Sequence, residues 1–100
     1  MALSEKNLLT AEFLRLPKKG DLYEFNGVLY DDKTLDFHSD WNKLILAIRS
    51  FLDVDYTSVK DSEILYMYKN ILRKMTVADE IGEIFYTLVE AIKEYNEIKF

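Results

Sequence analysis

Cysteine does not occur among the 100 residues, which excludes disulfides, thiolate metal sites and thiol nucleophiles. Proline occurs once and glycine three times, so a loop-dominated or low-complexity chain is excluded too. No segment approaches the ~18 uninterrupted apolar residues of a membrane span. The opening Met-Ala-Leu-Ser-Glu-Lys-Asn lacks the basic and long apolar regions of a secretory signal. A cytoplasmic setting without membrane contact is the expectation. Positive charge is also in deficit: 13 Lys and Arg against 18 Asp and Glu leave a net charge of −5. Affinity for duplex DNA or RNA comes mainly from cations that neutralise phosphates, so direct nucleic-acid binding is not expected.

What is present is apolar surface, at 49% hydrophobic residues with 14 aromatics, enough to offset the entropy of ordering the chain. The length fits a single domain spanning residues 1–100. The negative charge is concentrated. Between Asp21 and Asp40 lie Asp21, Glu24, Asp31, Asp32, Asp36 and Asp40 against Lys33 alone, so this segment carries a charge equal to that of the whole chain.

The patterning predicts an α+β fold, a small antiparallel hairpin or three-stranded meander packed against about four helices. A first helix is expected over 4–15, capped by Ser4, with Leu9, Phe13 and Leu16 at helical spacing and Pro17 as its stop. Lys18-Lys19-Gly20 reads as a polar loop. Asn26-Gly27 between two apolar runs predicts a type I′ hairpin over 22–31, with Tyr23, Phe25, Val28 and Tyr30 on one buried face. After a turn at Asp32-Lys33-Thr34, the alternation of Leu35 and Phe37 with Asp36 and His38 suggests a third strand. Ser39 is the expected cap of a second helix with the stripe Trp41, Leu44, Ile45, Ile48, Phe51 and Leu52, opposite Asp40, Lys43, Arg49 and Ser50. Residues 53–60 read as a brief edge strand or ordered loop around Val54 and Tyr56. A third helix over 62–75 carries Ile64, Tyr68, Ile71, Leu72 and Met75. A capping box of Thr76 and Asp79 precedes a last helix striped by Val77, Ile81, Ile84, Phe85, Leu88, Ile92 and Tyr95, with Glu80, Glu83, Glu90, Glu94 and Glu97 outward.

Three separated strings have a shared character: Leu9 to Leu14 (LTAEFL), Phe37 to Ile45 (FHSDWNKLI) and Val89 to Glu97 (VEAIKEYNE). In order and type they resemble the phage-associated α/β sandwich family, the phage ABA sandwich domain, whose members show an "AEFM" helix, a "YHxSWDWLM" strand-to-helix junction and a terminal "VVEFIKWYNE" helix. The chain departs from that pattern at Lys43, where an aromatic is usual, and over 54–75, which looks helical where the family is strand-rich. The resemblance implies a bacteriophage or mobile-element setting and supplies no activity.

No constellation amounts to an active site. His38 is the single histidine and neighbours Ser39 and Asp40, but a nucleophile, its base and an orienting acid must converge in space, which three successive residues seldom do. His38 is expected to brace the junction near Trp41. Asp31, Asp32, Asp36 and Asp40 invite comparison with a hard-cation site, yet an EF-hand loop from Asp31 would need glycine where Asp36 stands and glutamate where Asn42 stands. No metal, cofactor or catalytic residue is therefore assigned. Tyr66, Met67 and Tyr86 fall off the main helical stripes and are expected to be exposed apolar contacts.

The leading functional expectation is a non-enzymatic phage or mobile-element accessory protein that binds another protein. Its carboxylates would attract a basic, nucleic-acid-binding host protein, and inhibition of a defence nuclease, as by an anti-CRISPR, fits that chemistry. The residues expected to meet the partner are Glu24, Asp31, Asp32, Asp36, Tyr66 and Met67. A structural or homo-oligomeric phage module without inhibitory role, such as a homodimer, is the alternative, and an enzyme centred on His38 the third.

Overall fold

The computed structural model describes residues 2–54, 63–75 and 80–98. Among these, α1 (Leu3–Phe13), β1 (Lys18–Lys19), β2 (Leu22–Phe25), β3 (Val28–Tyr30), α2 (Trp41–Asp53), α3 (Glu63–Lys74) and α4 (Ile81–Ile98) follow in order. Helices and one antiparallel sheet of order β1-β2-β3 make the α+β fold that the patterning predicts. Tyr56 and the rest of its expected strand or loop, and Val77 with the capping pair Thr76 and Asp79, lie outside the described residues.

The hairpin forms in the expected register, pairing Tyr23 with Tyr30, Glu24 with Leu29 and Phe25 with Val28. Asn26 and Gly27 adopt φ of 52° and 80°, the left-handed pair that a type I′ turn requires. Only half of the aromatic face is covered. Tyr23 and Phe25 are buried, the latter against the Phe37 ring, Tyr30 is half-buried, and Val28, next to the turn, projects into solvent at 51% exposure.

The third strand is not where alternation placed it. Lys18–Lys19 pairs with Leu22 and Tyr23 through a two-residue loop with Gly20 (φ 62°) at its first central position, the type II′ pattern. Two lysines carry no apolar alternation, but lysine is common on a solvated sheet edge, and Pro17 O accepts the Glu24 N–H at 2.8 Å just beyond the ladder. Leu35 to His38 instead belongs to two successive turns. Asp31 O accepts from Thr34 and Leu35 N–H, and Asp36 O accepts from Ser39 and Asp40 N–H, so these backbone groups are satisfied locally. Leu35 and Phe37 still point inward and are fully buried.

The N-cap of α1 is Ala2, whose methyl side chain cannot cap it, so Ser4 lies inside the first turn rather than capping it. Its buried residues are Asn7, Thr10 and Ala11, while Leu9, Phe13 and Leu16 pack only partly against the core. The helix closes before Pro17: Leu16 N–H donates to Ala11 O and Arg15 N–H to Glu12 O, with Arg15 at φ 54° in the place usually held by glycine.

α2 is capped by Asp40, not Ser39. The Asp40 carboxylate accepts from the N–H groups of Asn42 and Lys43, stabilising the helix start through both hydrogen bonds and the macrodipole. α4 packs against α1, α2 and α3 and supplies Ile84, Phe85, Leu88, Val89 and Ile92 to the core. There they meet Leu44 and Phe51 of α2, Leu65 and Leu72 of α3, and Phe37. Phe13 bridges Phe51 and Tyr95, with ring centroids 5.7 and 5.8 Å away. Ile71, expected in the α3 stripe, is 38% exposed, and Leu65 takes the inward position.

Candidate functional site

The acidic segment folds around a cation from outside it. Lys43, expected on the polar face of α2, is buried: its stem lies against the core and its Nζ donates to Asp36 Oδ1, lies 3.8 Å from Asp40 Oδ2 and sits 3.9 Å above the Tyr30 ring. Desolvation by itself lowers the pKa of this ammonium, but the Asp36 hydrogen bond and the charges of Asp36, Tyr30 and Asp40 outweigh it and hold the group above its ordinary value. For Asp36 partial burial raises the carboxyl, and the Lys43 hydrogen bond, a local backbone bond and the charges of Lys43 and His38 hold it below the usual range.

This pair gives the fold a two-sided pH dependence. Asp36, with its folded pKa depressed, contributes stability that is present above its ordinary value of 3.8 and lost as pH falls through the folded value. Lys43, with its folded pKa raised, contributes stability that is fully present below 10.5 and lost as pH rises through the folded value. Lys43→Ala is expected to destabilise by about 1–2 kcal/mol at pH 7, a figure discounted because Asp36 is 38% exposed and water solvates part of its charge. Lys43→Met, which keeps the buried stem, should lose less than half of that. Denaturant midpoints at pH 3, 7 and 11 test this, and a Lys43→Ala variant with wild-type midpoints at pH 7 rejects the pair as a contributor.

The other carboxylates have their own placements. Asp31 Oδ1 accepts from Lys33 N–H and Thr34 N–H, each at 2.9 Å, and from the Thr34 hydroxyl at 3.0 Å. The Thr34 bonds, then that of Lys33, hold this exposed carboxyl below its ordinary value, so it stays charged while ordering its own turn. Asp32 is exposed, and Glu24 lies 3.8 Å from Lys19 across the sheet. The unopposed charge is thus smaller than the segment suggests: Asp36, Asp40 and Glu24 each have a lysine beside them, while Asp31 and Asp32 remain at the end of β3 and the exposed Asp21 in the turn between β1 and β2. No group of three or more His, Asp or Glu is placed to hold a metal ion among the described residues.

His38, Ser39 and Asp40 do not come together. The Asn7 amide oxygen accepts the Phe37 N–H at 3.1 Å, which fixes the amide so that its nitrogen donates to Leu3 O at 3.2 Å and faces His38 Nδ1 at 3.1 Å. Facing that amide nitrogen, Nδ1 is an acceptor in the tautomer that carries the ring proton on Nε2. The ring lies 6.2 Å from that of Phe85, while the Asp40 carboxylate is committed to the α2 N-terminus. The geometry is that of a brace between α1, the 31–40 segment and α4. Asn7 carried no sequence signal, since a lone asparagine in a helix reads as surface.

The expected exposed residues are exposed. Tyr66 (36%) and Met67 (48%), with Ile71, line a shallow groove along α3 that Glu63, Asn70 and Lys74 border, and Tyr86 (56%) lies under the Lys6 ammonium on α4. The glutamate face of α4 is only partly solvated. Burial first, then the Glu94 and Glu90 charges, hold the half-buried Tyr68 phenol above its ordinary value. On the hairpin, Leu29 (45%), which the register places on the face opposite the aromatic one, is exposed as that register implies, and Val28, expected to be buried, joins it as exposed apolar surface. Among the described residues no helix is long and apolar enough to cross a membrane. Comparisons with protein-family models, with curated proteins and with solved structures return no match to this chain.

Proposed function

We propose that the protein acts by binding another protein through the free edge and outer face of its hairpin, and that the partner is basic. One observation carries this: β3 is an outer strand of the sheet, displays Val28 and Leu29 to solvent, and runs directly into the charged, solvent-facing Asp31 and Asp32. In the hairpin register Leu29 forms the non-hydrogen-bonded pair with Glu24, so its own N–H and C=O face away from β2, where an extended partner segment adds. Apolar anchors beside carboxylates suit a partner strand with apolar and basic side chains, and the charge speeds encounter. The resemblance to phage proteins supports an accessory role inside a bacterial host cell. Host enzymes that grip nucleic acid present basic grooves, so inhibition of a defence nuclease in the manner of an anti-CRISPR is the most concrete form of this function.

The test is a pull-down from host lysate with the wild type and an Asp31→Lys/Asp32→Lys/Leu29→Ala variant, repeated with duplex DNA as competitor. Asp36 is left intact because its change would disturb Lys43. Wild type should retain a basic nucleic-acid-binding protein that DNA displaces, with at least a tenfold loss in the variant and weakening with salt. Equal retention by both proteins across the salt series rejects the hairpin as the contact.

The exposed trio Tyr66, Met67 and Ile71 supports a second reading, self-association through α3. Light scattering that finds only monomer at millimolar concentration removes it.

A further inference from the structure

A separate groove lies on the α2 side of the molecule, with a volume of about 340 Å³. Trp41, Ile45 and Ile48 wall it from successive turns of α2 and Leu72 from α3, and its lining is mostly apolar. Arg49 and Arg73, both exposed, stand at its rim. The charge at this rim runs against that of the chain. Acids outnumber bases by eighteen to thirteen, yet neither guanidinium has a carboxylate partner among the described residues, and Arg73 makes only a 3.4 Å bond to the Asn70 side chain. Concave apolar walls with a few polar groups converging at the mouth are the usual form of a small-ligand site, and the volume falls in the usual range.

We infer that this groove binds a small amphipathic anion, a carboxylate on an alkyl body, with the apolar chain against Trp41 and Ile45 and the carboxylate between Arg49 and Arg73. The guanidinium fork matches a carboxylate in two parallel hydrogen bonds, which a neutral or cationic head group does not offer. A polyanion such as nucleic acid is a poorer match, because the site presents two charges over an apolar floor rather than a cationic track. This site is distinct from the hairpin and stands or falls independently of the protein-binding function proposed above.

The test uses the single tryptophan, which lines the groove and reports occupancy through its own fluorescence. The intact chain is titrated with octanoate, hexanoate, 1-octanol and octyltrimethylammonium. Octanoate should shift the emission saturably below 10 mM, hexanoate about tenfold more weakly for its two missing methylenes, octanol at least tenfold more weakly, and the ammonium not at all. In an Arg49→Gln/Arg73→Gln variant the octanoate affinity should fall at least tenfold while that for octanol is unchanged, a control for an intact groove. Octanol binding as tightly as octanoate, a double variant within twofold of wild type, or no saturation by octanoate would each overturn the assignment. The last is also the result expected if the groove seats a partner protein instead.

Discussion

Phe37→Ala is expected to cost about 4 kcal/mol, close to the whole stability of a domain in the lower part of the usual 5–15 kcal/mol range. Phe37 is fully buried although it belongs to a turn segment rather than to a helix or strand. Its ring meets Phe25 edge-on, centroids 6.0 Å apart, and so joins the covered face of the hairpin to the helical core. Truncation removes a large apolar side chain and also the aromatic pair, which contributes about 0.5–1.5 kcal/mol beyond burial. The backbone here is fixed by local turn bonds and by Asn7, so the segment has little freedom to collapse into the space left. Phe37→Leu, which keeps most of the volume, should lose about 1.5 kcal/mol. Urea unfolding of the three proteins gives the comparison. A loss below 1.5 kcal/mol for the alanine variant would mean that Phe37 does not couple the sheet to the helices.

The parts of this fold that local chemistry determines were legible. Asn26-Gly27 placed the hairpin and its register because few dipeptides accept two left-handed φ angles, and the α4 stripe supplies Ile84, Phe85, Leu88 and Ile92 to the core, whereas in α2 only Leu44 and Phe51 of the expected stripe are buried, beside Ala47 and Lys43. Two of the failures, at Lys43 and Asn7, share a cause, which is burial of a polar residue by partners remote in sequence. Lys43 reads as surface until Asp36, seven residues earlier, and Tyr30, thirteen earlier, fold over it. Asn7 and Thr10 occupy the inner face of α1 because Asn7 is paired across thirty residues with Phe37 and Thr10 returns its hydroxyl to Lys6 O, neither of which periodicity can register. β1 was invisible for the opposite reason: two exposed lysines on an edge strand bury nothing. The candidate site was legible in its charge and not in its exposure. The Asp31 and Asp32 carboxylates and Leu29 on the outer face were expected, whereas the exposure of Val28 was not, because alternation assigns a face and does not say how far along it the cover extends.

Asn7→Leu should destabilise the protein by about 3 kcal/mol, although leucine is the better helix former. At 2% exposure the Asn7 side chain serves three partners, accepting from Phe37 N–H and donating to Leu3 O and His38 Nδ1. An isosteric alkyl group leaves the Phe37 N–H without an acceptor in the interior, a desolvation penalty of about 1–3 kcal/mol, and strands two weaker acceptors nearer the surface. Asn7→Asp separates these contributions. Its carboxylate still accepts from Phe37 and can accept from His38 with the ring proton on Nδ1, but has no hydrogen for Leu3 O, so a loss of about 2 kcal/mol is expected from one facing acceptor and a buried charge. The contact with His38 is isolated by a double-mutant cycle of Asn7→Leu with His38→Leu, for which a coupling of about 1 kcal/mol is expected. Additive losses would show that the ring makes no bond to the amide, and would release His38 from the bracing role, making its Nδ1 available for chemistry elsewhere on the surface.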